Sequence, residues 1–121
     1  MLFRSSKKKT PVNITKAILD SGVVIVGFEP DAPPAYFRDE NGNSKGFDFE
    51  LIRFISKNAF GSARIVPIET AYDSLPSLLT SNQIQIMAGG RTVQDMPGVI
   101  YSKPYLTFGF CIITTKINAV N

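Results

Sequence analysis

Residues 23–34 read VVIVGFEPDAPP, and this stretch decides the fold class. The run 23–26 is an unbroken series of β-branched residues, which is typical of a strand buried on both faces of a parallel sheet. A glycine and three prolines follow, so the chain cannot continue there as a regular strand or helix. Loops that follow parallel strands carry the ligand sites of α/β proteins. The stretch therefore predicts a central strand followed by a functional loop.

Helical and strand patterns alternate on both sides of this strand. Alternation of this kind implies right-handed crossovers, and thus an α/β fold with a mostly parallel sheet and helices on both faces. The predicted elements are helices at 12–20, 49–59 and 73–80, strands at 64–68, 84–88 and 108–115, and one helical turn after Thr92.

Local signals fix several ends of these elements. Asn41 and Gly42 predict a hairpin turn, since both residues tolerate a positive φ. Asp48 is predicted to cap the second helix, with Phe47 and Ile52 packing around the cap. Gly22 is predicted to end the first helix and Gly61 the second, and Pro76 is expected in the first turn of the third. The residues expected in or near the core are Phe47, Phe49, Leu51, Ile52, Phe54, Ile55, Ala59, Phe60 and Cys111.

The composition excludes several classes of site. The 121 residues contain no histidine and no tryptophan, and Cys111 is the only cysteine. One chain therefore cannot build a disulfide framework, a Cys/His zinc site or a histidine-dependent catalytic triad. We expect no metal, no cofactor and no catalytic residues.

The net charge of +3 is concentrated at the amino terminus. Residues 1–10 carry four basic residues and no acid, so the remaining nine bases and ten acids leave a charge of −1. A nucleic-acid-binding protein spreads its basic residues over a docking face, and we expect no such partner. No stretch approaches the ~20 apolar residues that span a bilayer, and no apolar core of a secretory signal follows the basic run.

Four short segments occur in a fixed order along the chain. The four segments are VGFEPDAPP at 26–34, RDENG through GFDFEL at 38–51, YDSL with Leu79 and Ile84 at 72–84, and AG through YSKPY at 88–105. Together they resemble the first lobe of a type II periplasmic solute-binding protein of the polar amino-acid (family 3) group, over residues 12–116. The resemblance implies one lobe of a Venus-flytrap fold, in which two α/β lobes close on a ligand.

The resemblance also implies a ligand site. An acid after the first strand would hold the ligand ammonium group, an aromatic residue would pack on the ligand, and the turn after the third strand would offer backbone N–H groups. An aromatic ring can also stack on a cation, glycines allow close approach of the backbone, and the predicted helical turn would favour an anion. The implied ligand-binding residues are Glu29, Tyr72, Ala88, Gly89, Gly90 and Arg91.

Three positions depart from the family pattern. The arginine that binds the ligand carboxylate in the family falls on Met96, and Arg91 occupies a position usually held by a small hydroxyl residue. A family aromatic falls on Ala32, although Tyr36 and Phe37 are close in sequence. A standard α-amino acid, an anionic or larger ligand, and no ligand at all therefore stay as alternatives.

The resemblance implies binding of a small polar solute, an amino acid or a related anion, by part of an ABC-transporter solute-binding protein or a sensor domain. The resemblance implies a periplasmic or extracytoplasmic location and a transporter permease as partner. One alternative is the lobe of a cyclohexadienyl dehydratase-like enzyme. Another is a lobe that binds nothing alone and forms a homodimer through its interlobe surface or by strand exchange. The predicted organisation is a basic arm at 1–11, the lobe at 12–116 and a tail at 117–121.

Overall fold

The computed structural model of the chain describes residues 13–107, 111 and 113–116. Helices and strands alternate along the described part, as the sequence predicts. None of its helices has the length and apolar character needed to cross a membrane. The elements are α1 (Ile14–Ser21), β1 (Val23–Phe28), β2 (Phe37–Arg38), β3 (Ser44–Lys45), α2 (Phe47–Ala59), β4 (Arg64–Glu69), a 3₁₀ helix (Tyr72–Ser74), α3 (Leu75–Thr80) and β5 (Ile86–Met87).

The central sheet has the strand order β4-β1-β5, and both pairings of β1 are parallel. β1 pairs along its whole length with β4, from Val23 opposite Arg64 to Phe28 opposite Glu69. On its other edge, Val26 and Gly27 pair with β5. The β-branched run therefore forms the middle strand, as expected for an apolar run in a parallel sheet.

Helices pack on both faces of this sheet. One set of alternate side chains on β1, including Val24 and Phe28, joins a core with Ile18 of α1 and Ile52 of α2. Gly27 points to the other face, where an added Cβ would lie 2.7 Å from a methyl of Leu75 in α3. The predicted α/β fold, with a parallel sheet and helices on both faces, is confirmed.

Two predicted helix ends agree with the structure and one does not. Gly22 adopts a left-handed conformation and ends α1, and Pro76 lies in the first turn of α3. The predicted Asp48 cap is wrong, since α2 begins at Phe47 and has no side-chain cap. The N–H groups of Phe47 and Asp48 instead donate to the carbonyl oxygens of Pro34 and Ala35. Loop carbonyls thus satisfy the helix start and leave the Asp48 side chain for another role.

The predicted packing face of α2 is only partly correct. Ile52 and Ser56 are buried, whereas Phe54 is 65% exposed and Phe47 is 52% exposed. Helix geometry explains Phe54, because two residues turn an α-helix by about 200° and place it opposite Ile52. Ala59 is exposed as well.

The Asn41-Gly42 hairpin is confirmed by the antiparallel pairing of β2 and β3. Gly42 has a φ of 81°. The Asp39 carboxylate accepts the N–H groups of Asn41 and Asn43 at 2.9 Å, and these hydrogen bonds lower the pKa of Asp39. The turn is therefore held by a side chain as well as by its glycine.

No regular element follows β5 in the described residues up to 107. The predicted helical turn after Thr92 is therefore wrong. Gly89 and Gly90 both have positive φ angles, which lead the chain away from a helical path, and Pro97 follows. The strand predicted at 108–115 lies partly outside the described residues, and its described members belong to no strand. Cys111 is exposed rather than buried, because no described element covers it.

Candidate functional site

The six predicted site residues all follow strands of the parallel sheet. Glu29 comes directly after β1, Tyr72 begins the 3₁₀ helix after β4, and residues 88–91 follow β5. The carboxyl ends of neighbouring parallel strands meet at one edge of a sheet, which is the usual ligand edge of open α/β folds. We call residues 88–91 the strand-end turn.

The strand-end turn lies against the start of the first loop. The Ala88 N–H donates to the Gly27 carbonyl oxygen at 3.0 Å. A Cβ built on Gly89 would lie 3.8 Å from the Glu29 nitrogen. Glu29 itself is half-buried, and its carboxylate takes part in no ion pair within residues 13–107. The backbone of the turn therefore borders the loop that carries Glu29.

Arg91 and Tyr72 form a direct contact. The guanidinium carbon of Arg91 lies 3.6 Å from the centroid of the Tyr72 ring. The Nη1 atom of Arg91 also donates a hydrogen bond to the Tyr72 carbonyl oxygen at 2.8 Å. A cation over an aromatic face is attracted by the charge distribution of the ring. These two contacts hold the guanidinium at the carboxyl edge of the sheet.

The Arg91 charge has no acidic partner in the described part of the chain. Arg91 is half-buried, and its Nε atom is buried without a hydrogen-bond partner there. The ion pairs found among the described residues join other side chains, such as Arg38 with Glu69 at 2.6 Å. Arg91 can therefore still donate hydrogen bonds to an anion.

Asp48 is the main residue that the sequence analysis missed at this site. Its side chain is buried, and its two oxygens accept different donors. Oδ2 accepts the Gly90 N–H at 2.6 Å, and Oδ1 accepts the Tyr105 hydroxyl at 2.7 Å. The sequence signal was an acid between two phenylalanines, a pattern that also fits a helix cap. Asp48 thus ties the strand-end turn to both α2 and the segment around Tyr105.

This arrangement changes two of the expected contributions to anion binding. The Gly90 N–H is engaged by Asp48, so it does not point at a ligand as predicted. The described chain also lacks a helix after the turn, so no helix N-terminus supports an anion there. Burial is the larger cause and the hydrogen bond to Asp48 the second, and together they raise the pKa of Tyr105. Its hydroxyl therefore stays protonated and acts as the donor.

Tyr36, which lies near the missing family aromatic at Ala32, does not offer its ring to a ligand. The ring is fully buried and stacks on Phe28 with a centroid distance of 4.2 Å. Its hydroxyl donates to Glu69 at 2.5 Å, and Arg38 donates to the same oxygen. These hydrogen bonds lower the pKa of Glu69. Tyr36 therefore supports the fold beneath the first loop.

Neither a metal-binding cluster nor the surface cavity marks the six candidate residues in the described part of the chain. The described residues contain no cluster of three or more acidic or cysteine side chains that could hold a metal ion. An open surface cavity of ≈ 580 Å³ lies against α2 and β4, with Phe49, Arg53 and Ala63 in its lining. None of the six candidate residues lines that cavity, so the site assignment depends on the strand ends and their contacts.

Comparison with known proteins gives a family match. The family of bacterial extracellular solute-binding proteins, family 3, matches residues 24–120. The chain is similar to the L-cystine-binding protein TcyJ of Escherichia coli (strain K12), with 26% identity over 116 residues. That similarity covers 94% of this chain and 43% of TcyJ, so the chain spans less than half the length of this relative.

Two solved structures illustrate the structural likeness. The arginine-bound form of domain 1 from TmArgBP, the ArgBP of T. maritima, is 30% identical with a TM-score of 0.60. The likeness covers 65% of this chain and 61% of that domain. An ancestral cyclohexadienyl dehydratase, AncCDT-3, is 25% identical with a TM-score of 0.63, covering 72% of this chain and 35% of the dehydratase.

Proposed function

Because the chain belongs to the bacterial extracellular solute-binding proteins, family 3, we propose that it binds a small polar solute, an amino acid or a related anion. The observation that supports the proposal is that three chemical groups follow neighbouring strands at one edge of the sheet and that two of them are in contact. Glu29, Tyr72 and Arg91 each follow a different parallel strand, and Arg91 lies directly over Tyr72. An acid, an aromatic ring and a guanidinium are the groups that suit a zwitterion.

The two charged groups have distinct roles in this proposal. The Glu29 carboxylate attracts the ligand ammonium group. The Arg91 guanidinium binds the ligand carboxylate, since a planar guanidinium donates in parallel to both oxygens. Gly89 adds no side chain next to the first loop, since a Cβ built on it would lie 3.8 Å from the Glu29 nitrogen. The ligand thus bridges the first loop and the strand-end turn.

A single lobe supplies only part of the contacts of a two-lobed protein. In the proposed full protein, a second lobe closes over the ligand by a hinge motion, and the ligand stabilises the closed form. Domain 1 from TmArgBP has been solved in an arginine-bound form, so a separate domain of that relative holds a ligand. We therefore expect the 121-residue chain to bind measurably but weakly.

The direct test is titration calorimetry of the chain with the standard amino acids and small carboxylates. At least one ligand should bind, and Glu29→Gln should lower the affinity for that ligand by about tenfold, the typical effect of one lost charged hydrogen bond. Glu40→Gln is the matched control, because Glu40 is an exposed acid in the hairpin turn. A folded chain that binds none of these ligands would contradict the proposal.

A dehydratase is a second candidate, which the likeness to AncCDT-3 favours. Such an enzyme needs a general acid and an anchor for the substrate charge, and Glu29 and Arg91 are the candidate groups. The discriminating assay incubates the chain with prephenate and with arogenate. Turnover that Glu29→Gln abolishes would support an enzyme, whereas binding of an amino acid without turnover supports a solute-binding lobe.

The wider setting is also a proposal. We place the lobe at 12–116, with the basic arm at 1–11 and the tail at 117–121, in an extracytoplasmic solute-binding protein that delivers its ligand to an ABC-transporter permease or in a sensor domain. Self-association through the interlobe surface or through residues 108–115 is tested by sedimentation equilibrium. A monomer at all concentrations would rule that state out.

A further inference from the structure

The Tyr72 ring already carries a cation from its own chain. The Arg91 guanidinium carbon lies 3.6 Å above the ring centroid, and Nη1 is fixed by the hydrogen bond to the Tyr72 carbonyl. Side-chain stacking and a backbone hydrogen bond therefore fix the guanidinium together. A ligand cation cannot occupy the same face of the ring while Arg91 remains there.

The same guanidinium lacks a counter-ion. Arg38 and Arg53 lie on the surface, and each pairs with a glutamate within the described residues. Arg91 is more enclosed than either of them, yet no carboxylate of residues 13–107 lies within ion-pair distance of it. Its Nε atom is buried and lacks a hydrogen-bond partner in this part of the chain. Partly buried charges are normally paired, because removal from water is costly.

We propose that Arg91 determines the charge class of the ligand: it takes a carboxylate or another oxyanion and excludes a ligand with a cationic side chain. This inference rests on the proposed function and adds the ligand class. Two effects act in the same direction. Arg91 covers the ring face that a ligand cation would use, and its positive charge repels a second cation a few ångströms away.

The test compares two ligands that differ mainly in charge. L-citrulline is a neutral analogue of L-arginine with nearly the same shape, so their affinities report on side-chain charge alone. For the unmodified chain, titration calorimetry should show citrulline binding at least about tenfold more tightly than arginine, as like charges at close range require. Equal or tighter binding of arginine would overturn the inference while leaving the proposed function intact.

A substitution then assigns the effect to Arg91. Arg91→Thr frees the Tyr72 ring and removes the repulsion, so the preference for citrulline over arginine should fall by about tenfold or reverse. Arg53→Thr is the matched control, since Arg53 is an exposed arginine on α2. This variant should prefer citrulline over arginine to the same extent as the unmodified chain. An unchanged preference in folded Arg91→Thr, checked by circular dichroism, would overturn the assignment.

The oxyanion requirement has its own comparison. L-citrulline amide lacks the carboxylate, and its binding to the unmodified chain should be at least about tenfold weaker than that of citrulline. Equal binding of the amide would overturn this half of the inference. If the folded chain binds neither citrulline, nor any standard amino acid, nor any small carboxylate, the proposed function itself fails, and the charge-class inference falls with it.

Discussion

Replacing Asp48 with alanine removes the acceptor of two hydrogen bonds from a residue that is 2% exposed. The Gly90 N–H and the Tyr105 hydroxyl, at 2.6 and 2.7 Å from its two oxygens, would both lose their partner. Hydrogen bonds to charged groups contribute about 1.5–3 kcal/mol each. The hydrogen bond from the half-exposed Tyr105 should contribute an energy at or below the lower end of that range, because water screens it. We therefore expect Asp48→Ala to lower the free energy of unfolding by about 3 kcal/mol.

A loss of this size is large, since the total stability of a domain is only about 5–15 kcal/mol. Urea unfolding followed by far-ultraviolet circular dichroism measures it directly, because the chain contains no tryptophan to report fluorescence. The midpoint of thermal unfolding should fall by more than about 10 °C for a domain of this size. Asp20→Ala is the control, because Asp20 is an exposed acid in a surface ion pair with Lys16 and should cost less than about 1 kcal/mol.

A double-mutant cycle separates the Tyr105 hydrogen bond from general disruption. Tyr105→Phe removes only the hydroxyl and keeps the ring that stacks on Phe47 at 6.0 Å. If Asp48 and Tyr105 interact as the distances indicate, the double variant should be about 1 kcal/mol more stable than the sum of the two single losses predicts. Strict additivity, or an Asp48→Ala loss no greater than that of Asp20→Ala, would refute the reasoning.

Three further substitutions test the packing and the electrostatics of the lobe. Gly27→Ala should lower the free energy of unfolding by about 1–3 kcal/mol, because its Cβ would stand 2.5 Å from a methyl carbon on the α3 side of the sheet. Gly46→Ala should lower the free energy of unfolding by more than about 3 kcal/mol, since its φ is 121° and its Cβ would overlap backbone atoms. Gly42→Ala is the control, because Gly42 also has a positive φ but lies in open space, and it should cost about 1–2 kcal/mol. The pKa of Glu69 is lowered, mainly by the hydrogen bond from the Tyr36 hydroxyl. The ionised carboxylate therefore stabilises the fold when the pH is above its ordinary pKa of 4.5, and this stabilisation is lost as the pH falls below that value. The stability difference between the unmodified chain and Glu69→Gln in urea unfolding should accordingly be largest near neutral pH and should shrink toward about pH 3.

The parts of the fold that the sequence predicted depend on short-range patterns. The β-branched run at 23–26 became the middle strand, and Gly22 ended α1 with a left-handed residue. Asn41 and Gly42 formed the hairpin turn. In each case the decisive physics, such as β-branching or tolerance of positive φ, belongs to residues that are adjacent in the chain. No distant partner was needed to predict them.

The error at Asp48 arose because distant partners decided the outcome. Asp48 had the residue type and position of a cap, but the carbonyl groups of Pro34 and Ala35 satisfied the helix start. Its carboxylate then met Gly90, which is 42 positions away in the sequence. Phe54 is a different error, because its apolar character was read without its angle around the helix. The contact of α2 with the Pro34 and Ala35 carbonyls and the contact of Asp48 with Gly90 leave no signal in the neighbouring sequence.

The candidate site shows the same division. Its residues could be placed at the sheet edge because each follows a predicted strand, and the resemblance identified Glu29, Tyr72 and Arg91. The contact between Arg91 and Tyr72 could not be predicted, since it depends on the path of the strand-end turn. That path follows from the positive φ angles of Gly89 and Gly90 and from the hydrogen bond between Gly90 and Asp48.

This path has a consequence for anion binding at the sheet edge. In many α/β proteins, backbone N–H groups at a helix N-terminus bind an anion. Here Asp48 engages the Gly90 N–H, and residues 91–98 form no helix that would supply others. Asp48 also places a negative charge directly behind the turn, which disfavours an anion bound by the backbone. The electrostatic attraction for an anion is therefore concentrated in the Arg91 side chain, so one substitution at Arg91 should change ligand charge preference without changing the backbone of the site.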